Sequence, residues 1–324
     1  MKRVLITGGN GFVGRHLVRY LHKEHREVEI MLLARSEPLE PDGVVCFRVA
    51  DLCERKHLRR VLNELQPDGV IHLASESSVA VSWQDPHRVL ENNIRGFINL
   101  VESVREISHH CRLLVVGSSE QYGVTNRNPV SEQAPQFPCN PYGVSKCAQE
   151  QIARMYAQSF AMDIVMTRSF NHIGSGQSEN FAVASFAKQI IRRKQLGPDS
   201  PVRVGNLKTV RDLVDVRDVV KAYWGLLKSG TTGEVFNVCS GCGYSLQGVL
   251  ELMMELAGLE AQWQVDPACF RPNDVPALIG DGSRIRGILG WVPNYTLRES
   301  LQPVLDEWQQ RTESTQQVAH ASLL

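Results

Sequence analysis

Tyr142 and Lys146 are the residues whose types and spacing point most directly to chemistry, in the segment Tyr142-Gly143-Val144-Ser145-Lys146. Residues four apart lie on one face of a helix, so the lysine ammonium can stand beside the phenol. A neighbouring positive charge favours the phenolate and lowers the pKa of the phenol. A tyrosine in that setting can donate and accept protons near neutral pH. The spacing therefore predicts a proton-transfer pair, to which Ser118 adds a hydroxyl at the end of a predicted strand.

A glycine-rich turn stands at the beginning of the chain. Gly8, Gly11 and Gly14 give the spacing GxxGxxG between the short apolar run 4–6 and an amphipathic segment. Such a turn lets the backbone approach a pyrophosphate closely, and the helix that follows offers free N–H groups to it. A merely structural tight turn is the alternative. The position after a buried strand and before a helix favours a dinucleotide site, which also includes Phe12 and Val13.

The identity of the dinucleotide is indicated by the end of the second predicted strand. NAD sites usually place an acidic residue there, but the segment Leu33-Ala34-Arg35-Ser36 has none. Arg35 can pair with a 2′-phosphate, so NADP(H) is favoured and NAD(H) is possible; the alternative is a solvated arginine. Asp51 and Leu52 follow the third predicted strand and are expected at the adenine ring, although Asp51 could instead cap a helix.

The composition excludes several classes of protein. The 324 residues carry 35 Lys+Arg against 35 Asp+Glu, so the formal net charge is zero. A nucleic-acid binder needs a clustered positive surplus, so no nucleic-acid partner is expected. No apolar run approaches the roughly 18 residues of a membrane span, and the apolar start is too short for a signal peptide. We expect a cytoplasmic enzyme without a membrane partner.

The eight cysteines are scattered and show no disulfide framework. Cys239 and Cys242 form a lone CxxC, which could be a redox pair or half of a zinc site. Nothing nearby supplies further ligands, so two small buried residues in a turn are favoured and no metal site is predicted.

The elements that must position these residues alternate between short apolar runs and amphipathic stretches. This alternation is typical of βαβ units and predicts an α/β fold with a doubly wound parallel sheet of the Rossmann type. The predicted strands are 4–6, 28–33, 44–49, 69–73, 113–116, 164–167 and 235–238, and the predicted helices are 12–24, 54–65, 87–107, 141–160, 182–194, 216–228 and 246–257.

The alternation of apolar runs and amphipathic stretches becomes less regular after about residue 170, which indicates a second, smaller part of the fold. Residues 1–170 are expected to form the dinucleotide-binding domain, which the stretch 207–238 rejoins. Residues 171–206 and 239–310 are expected to form a smaller α/β substrate-binding part, and 311–324 a loose polar tail.

The glycine loop, the Tyr-x-x-x-Lys pair and the strand end at Ser118 together resemble the extended short-chain dehydrogenase/reductase family. Four further segments resemble family motifs: Ile71–Ala74, Asn92–Gly96, Arg168–Gly174 and Arg211–Asp218. Within the family, Gly205–Leu207 and Phe270–Pro276 are similar to the GDP-mannose branch. The resemblance covers residues 1 to about 300, which is nearly the whole chain.

The resemblance implies the NADPH-dependent reduction of the C4 ketone of GDP-4-keto-6-deoxy-D-mannose to GDP-D-rhamnose. Ser118, Tyr142 and Lys146 would be catalytic. Leu73 and Ala74 would line the cofactor with the residues named above. The residues implied to bind the GDP-linked 4-keto-6-deoxyhexose are Ser118, Ser119, Glu120, Asn171, Lys188, Arg211, Arg271 and Asp274.

Two other functions stay open. Dehydration of GDP-mannose at carbons 4 and 6 needs an additional carboxylate, and Glu120 stands two residues after Ser118, where related dehydratases keep their glutamate. A non-catalytic dinucleotide sensor on the same fold is the remote alternative. Such a sensor would be expected to lose the tyrosine, lysine or serine, and all three are present.

Two predicted helices, 87–107 and 141–160, carry more apolar surface than one sheet face should absorb. Members of the family that this chain resembles commonly pair these helices across a four-helix interface. A homodimer through such a bundle is therefore expected.

Overall fold

The computed structural model describes residues 1–37, 46–107, 110–197, 200–270 and 273–321. The strands are β1 (Arg3–Thr7), β2 (Glu29–Ala34), β3 (Cys46–Val49), β4 (Gly69–His72), β5 (Arg112–Ser118), β6 (Ile164–Ser169), β7 (Asn171–Ile173), β8 (Val202–Val204), β9 (Val210–Asp215), β10 (Val235–Val238), β11 (Gly243–Ser245), β12 (Trp263–Val265) and β13 (Ala277–Leu278). The helices are α1 (Phe12–Glu24), α2 (Arg55–Leu65), α3 (Val79–Gln84), α4 (Pro86–Leu90), α5 (Gly96–Ile107), α6 (Pro141–Phe160), α7 (Ala182–Leu196), α8 (Val216–Ser229), α9 (Leu246–Leu256), α10 (Ser283–Leu289) and α11 (Leu297–Ala321).

A parallel sheet of seven strands forms the larger part, in the order β10-β6-β5-β4-β1-β2-β3. Strand β1 lies between β2 and β4, so that Val4 is opposite Ile30 on one side and Gly69 on the other. The chain order reverses between β1 and β4, and parallel sheets of this kind open a crevice at that point. This confirms the predicted doubly wound α/β fold.

Helices cover both faces of this sheet. Its central strands are therefore buried on both sides, and their sequences are continuous apolar runs. On one face α1 and α8 pack through a cluster that includes Leu17 and Val219. On the other face α2, α5 and α6 pack through a cluster that includes Leu62, Leu100 and Ala153. The two clusters fix the distances between the strand ends and the helices that begin there.

The smaller part has its own sheets and its own core. Strand β9 pairs with β7, β11 and β13, and β12 pairs with β8. Helices α7, α9 and α11 enclose a cluster that includes Phe186, Met253 and Leu301. Of the stretch 207–238, β10 and α8 join the large sheet whereas β9 joins the small one, and the domain boundaries themselves stay a prediction.

Two elements differ from the sequence-based expectations, and a third is only partly described. The loose tail predicted for 311–324 is wrong as far as 321, because α11 continues to Ala321. The predicted helix 87–107 is divided into α4, a π-helical turn at Glu91–Arg95 and α5. The predicted strand 44–49 is described from Cys46 onward, and residues 44 and 45 lie outside the described residues.

A buried ion pair joins three elements of the larger part. The side chain of Glu150 on α6 is only 3% exposed, and its carboxylate receives Nε and Nη2 of Arg168 on β6 at 2.8 and 2.7 Å. Gln121 donates to the same carboxylate at 2.7 Å, and Arg154 approaches it from the helix surface at 3.0 Å. Arg168 holds the pKa of Glu150 below its usual range, against the opposing effect of burial. The charge is stable there because it is fully hydrogen-bonded.

We expect Arg168→Met to lower the free energy of unfolding by about 3–5 kcal/mol, because it leaves the Glu150 carboxylate buried without its main partner. Arg154→Met is the matched control, since its side chain is 33% exposed and an exposed ion pair contributes about 1 kcal/mol or less. Urea denaturation followed by circular dichroism measures both variants. Equal losses in the two variants would contradict this account of the buried pair.

Candidate active site

A cleft of about 550 Å³ opens at the carboxyl ends of β1, β4, β5 and β6. It contains every residue that was predicted from the sequence to hold the cofactor, and it continues to the predicted catalytic residues. The cofactor residues along it are Gly8, Gly11, Phe12, Val13, Gly14, Arg35, Asp51, Leu52, Leu73 and Ala74. Ser118, Tyr142 and Lys146 line the same cleft. One cavity therefore brings the glycine turn and the proton-transfer residues together.

The glycine turn has a geometry that only glycine accepts. Gly8 has φ of 72°, and a Cβ atom there would lie 2.8 Å from the backbone of Ala74. A Cβ atom on Gly14 would lie 2.5 Å from the carbonyl oxygen of Gly9. Helix α1 begins at Phe12 with Gly11 as its N-cap and no side-chain hydrogen bond to its first N–H groups. These groups and the narrow backbone cradle fit the pyrophosphate of a dinucleotide.

The far end of the cleft fits the adenosine half of a dinucleotide. Asp51 accepts a hydrogen bond from the N–H of Cys53 at 2.8 Å, and helix α2 has Glu54 as its N-cap, so Asp51 does not cap that helix. Asn10 donates from Nδ2 to the carbonyl of Ser36 at 2.7 Å, which ties the glycine turn to the strand end carrying Arg35. The Arg35 side chain is exposed at the cleft, where it can meet a 2′-phosphate.

Tyr142 and Lys146 lie in the first two turns of α6, and both are buried. Lys146 donates from Nζ to the carbonyl of Val116 at 2.8 Å and to Oε1 of Gln149 at 2.9 Å. Its Nζ atom is 5.9 Å from the centroid of the Tyr142 ring. The side chain of Ser118 lines the same cleft and acts on the Tyr142 phenol by lowering its pKa. The structure thus brings the three predicted catalytic residues together.

The structure does not show the predicted lowering of the Tyr142 pKa by Lys146. Burial raises the pKa of Tyr142 well above its usual range, opposed by the hydrogen bond from Ser118 and reinforced by the charge of Glu120. Burial also lowers the pKa of Lys146 to about 7. The reason is desolvation, which disfavours the charged form of each group.

The π-helical turn before α5 positions Lys146. The carbonyl of Asn93, in this turn, accepts from Nε2 of Gln149 at 2.7 Å, and Gln149 in turn accepts from Lys146. The Asn93 side chain donates to Ser145 at 2.9 Å and also bonds both backbone groups of Glu76. The segment Asn92–Gly96, which resembles a family motif, therefore connects the π-helical turn at the cleft to helix α6 through the hydrogen bonds of Asn93.

Glu120 lies between Ser118 and α6 on a 3₁₀ turn (Ser119–Gln121). Its Oε2 accepts from Nδ2 of Asn140 at 2.7 Å, and its N–H donates to Oγ of Ser118 at 3.2 Å. Glu120 lines the cleft and acts electrostatically on Tyr142. The residue proposed for a dehydration is therefore close to the proton donor.

The predicted substrate residues are only partly brought together. Ser119, Glu120, Asn171 and Arg211 line the cleft, and Arg211 also donates to the carbonyl of Val275 at 2.7 Å. Lys188 does not line it and forms an ion pair with Glu179. Asp274 does not line it either, and Arg271 lies outside the described residues. The predicted roles of these residues are carried forward as proposals.

Some cleft residues carry no role in the sequence-based prediction. His172 stacks on Phe12, with ring centroids 6.1 Å apart, and its pKa is lowered by burial. Tyr223, from the middle of α8, hydrogen-bonds Ser169 at 2.7 Å at the base of the cleft. His172 stands in a segment that resembles a family motif, but a tyrosine on an amphipathic helix gives no local signal.

The comparisons with known proteins agree with this geometry. A family model described as GDP-mannose 4,6 dehydratase matches residues 5–304. GDP-6-deoxy-D-mannose reductase from Pseudomonas aeruginosa is 34% identical over 96% of this chain and 98% of that protein. GDP-mannose 4,6-dehydratase from Yersinia enterocolitica is 27% identical over 92% of this chain and 91% of that protein.

Solved structures show the same fold. The structure of RMD from Pseudomonas aeruginosa complexed with NADPH has a TM-score of 0.85 and 34% identity, over 96% of this chain and all (100%) of that one. UDP-glucose 4-epimerase from Thermus thermophilus in complex with NAD has a TM-score of 0.84 and 30% identity, over 95% of this chain and 99% of that one. The prediction of a nucleotide-sugar oxidoreductase of the short-chain dehydrogenase/reductase type is confirmed. The chain belongs to the GDP-mannose 4,6-dehydratase family of extended short-chain dehydrogenases/reductases.

Proposed function

We propose that this enzyme reduces the C4 ketone of GDP-4-keto-6-deoxy-D-mannose with NADPH and forms GDP-D-rhamnose. The observation that carries the proposal is the position of Tyr142, a buried phenol that shares one cleft with Ser118, Lys146 and the glycine turn. Reduction of a ketone requires such a proton donor. The 34% identity to GDP-6-deoxy-D-mannose reductase, and to a structure that was complexed with NADPH, supports the substrate and the cofactor.

Each residue of the site has a defined task in this reaction. NADPH supplies the hydride when it is bound. Tyr142 donates the phenolic proton to the ketone oxygen, while Ser118 hydrogen-bonds the oxygen on which negative charge develops, an interaction of about 3–4 kcal/mol. Because the pKa of Lys146 is lowered to about 7, its amino group can return a proton to the phenolate near neutral pH.

The GDP half of the substrate is proposed to bind on the side of the smaller part. Asn171 and Arg211 line the cleft there, and Arg211 offers a guanidinium that suits a diphosphate. Lys188 and Arg271 are proposed to complete the diphosphate site, and Asp274 to bind the guanosine ribose. Asp274 precedes Val275, whose carbonyl accepts from Arg211, so it lies next to an established cleft residue.

Dehydration of GDP-mannose is the second candidate function. Glu120 lines the cleft and its charge acts on Tyr142, which is the arrangement that an additional acid/base requires. The identity of 27% to GDP-mannose 4,6-dehydratase also supports it. The non-catalytic sensor is not retained, because Ser118, Tyr142 and Lys146 are all assembled in one cleft.

A homodimer through α5 and α6 is proposed for the assembly. On α6 a stripe at helical spacing includes Val144 and Met155, which are 44% and 52% exposed, and Ile98 on α5 is 38% exposed. Exposed apolar side chains on two neighbouring helices are typical of an interface, here a four-helix bundle formed with a second copy.

A cytoplasmic location is also proposed. All eight cysteines are free, which is typical of proteins of reducing compartments. No helix in the described part of the chain is long and apolar enough to cross a membrane.

A paired assay tests the function. GDP-4-keto-6-deoxy-D-mannose with NADPH should give stoichiometric loss of the nicotinamide absorbance and GDP-D-rhamnose by NMR. In the same assay Tyr142→Phe should lower kcat by about 10²–10⁴, because the proton donor is lost. Conversion of GDP-mannose to a 4-keto-6-deoxy sugar without net cofactor turnover would instead show the dehydratase. Near-normal reduction by Tyr142→Phe would refute the proton-transfer scheme.

Arg35→Ala tests the cofactor. Loss of a charge-assisted contact to the 2′-phosphate should weaken the binding of NADPH about 10- to 100-fold and leave the binding of NADH within about twofold. Fluorescence of the reduced nicotinamide measures both dissociation constants. Arg192→Ala, at an exposed arginine of α7, is the control and should change neither. An equal loss for both dinucleotides in Arg35→Ala would show that Arg35 does not read the phosphate.

Light scattering tests the assembly. The mass at micromolar concentration should be twice the chain mass of 36.3 kDa. Met155→Arg should yield the monomer, because a charge would be buried in the bundle. Val292→Arg, at an apolar residue that is 46% exposed outside α5 and α6, should stay dimeric. A monomeric wild-type chain would exclude the proposed dimer.

A further inference from the structure

The side chain of Gln149 joins the catalytic lysine to the π-helical turn. Gln149 stands on α6 about one turn after Lys146 and is completely buried. Its Oε1 accepts from Nζ of Lys146 at 2.9 Å, and its Nε2 donates to the carbonyl of Asn93 at 2.7 Å. An ammonium only donates and a carbonyl only accepts, so the two partners fix which end of the amide faces each of them. The acceptor offered to Lys146 therefore has one orientation.

Strand β5 holds Nζ of Lys146 from a second direction. The carbonyl of Val116 accepts from it at 2.8 Å. An ammonium has three N–H donors, and the oxygens of Val116 and Gln149 take two of them. Lys146 is 3% exposed and lines the cleft, and its Nζ is 5.9 Å from the centroid of the Tyr142 ring. The third bonding direction of Nζ is the one left for the cleft.

This third direction is also where the lysine can exchange a proton. A neutral amine has two N–H donors and one lone pair, so it keeps both bonds to the carbonyl oxygens when the lone pair takes the place of the third N–H. The two acceptors are held by a strand and by an amide that is itself hydrogen-bonded. Nζ can therefore lose and regain its proton on the cleft side without moving the side chain.

The ionisable groups around Lys146 come from two elements. His72 on β4 is completely buried, and burial together with the charge of Lys146 lowers its pKa to about 3, so it is neutral near pH 7. Tyr142 on α6 is neutral as well, because burial raises its pKa. Within the described part of the chain no carboxylate pairs with Lys146, so the oxygens of Val116 and Gln149 are the groups that stabilise its charge.

We propose that Gln149 is a positioning residue for Lys146: with the carbonyl of Val116 it occupies two bonding directions of Nζ and leaves the exchangeable proton directed into the cleft. The inference rests on the reductase function proposed above, in which NADPH supplies the hydride. The phenol of Tyr142 gives its proton to the ketone oxygen. Nζ then gives one proton to the phenolate and becomes a neutral amine, and a proton from solvent restores the ammonium. Gln149 gains and loses no proton.

Three variants separate this role from a structural one. Gln149→Met keeps the length of the side chain and removes the acceptor. Gln149→Glu puts a carboxylate against Nζ and is a variant of opposite sign if the first folds poorly. Ser145→Ala is the matched control, because this buried hydroxyl on α6 bonds Asn93 and the carbonyl of Tyr142 instead of Nζ.

Two measurements follow the protonation of Lys146. One is the pH dependence of kcat/KM for reduction of the 4-keto sugar, whose alkaline limb reports loss of the proton that the lysine must give. The other is competitive labelling of the amino group of Lys146 with acetic anhydride, read by mass spectrometry, which needs no substrate because only the neutral amine reacts.

In Gln149→Met the limb and the labelling midpoint should both move to lower pH by about half to one unit, because an accepting oxygen favours the charged lysine. On the limb this is about a three- to tenfold loss of kcat/KM. The KM of the 4-keto sugar should change less than about twofold, since Gln149 does not line the cleft. Gln149→Glu should move both midpoints to higher pH, and Ser145→Ala should leave both in place.

Unchanged midpoints in Gln149→Met overturn the inference, and so does an equal shift in Ser145→Ala, which would indicate a general loosening of α6. A uniform loss of activity at every pH with an unchanged labelling midpoint would show a merely structural role and also overturn it. Failure of the proposed function is a different result, in which the wild-type enzyme converts GDP-mannose and does not reduce the 4-keto sugar. The labelling midpoints then decide the inference alone.

Discussion

The site depends on one buried interaction, the carboxylate of Glu150 between Arg168 and Gln121. A charge with a side-chain exposure of 3% needs hydrogen-bond partners, and the Glu150 carboxylate finds them in Arg168 and Gln121. Gln121 also accepts from the N–H of Ser118 at 2.8 Å, which sets the end of β5. Glu150 stands about one turn after Lys146 on α6. These contacts hold α6, which carries Tyr142 and Lys146, in position against the end of β5, which carries Ser118.

A second set of contacts joins the smaller part to the glycine turn. Arg15 and His16, in the first turns of α1, reach the carbonyls of Gly176 and Ser175 at 3.0 and 2.8 Å. The loop after β7, which the sequence places near the substrate, is therefore anchored to the helix whose N-terminus faces the pyrophosphate site. Phe12 stacks on His172 in the same region. Cofactor and substrate sides of the cleft share one support, although their residues are about 160 positions apart in the chain.

The seven strands of the large sheet could be predicted from the sequence, because buried strands leave local apolar patterns. The predicted cofactor and catalytic residues do line the cleft, whereas Lys188 and Asp274 do not and Tyr223 was not predicted. The small strands β7, β9 and β13 show no such local pattern in the sequence, because segments distant in the chain determine how they pair. Helix α11 did leave a signal that could have been used: Thr296 and Glu299 exchange hydrogen bonds as a capping box. The state of Tyr142 could not be predicted, because desolvation depends on the packing around the side chain.

Burial acts on the two groups of the proton-transfer pair in opposite senses. It raises the pKa of the Tyr142 phenol and lowers that of Lys146 to about 7, since both are more stable uncharged in a site shielded from water. The proton is therefore retained on the tyrosine, and the lysine is the group that titrates near neutrality. The neutral phenol holds the proton that a ketone oxygen would receive in the proposed reduction, and Lys146 stands beside it. In the proposed reduction the amino group of Lys146 returns a proton to the phenolate.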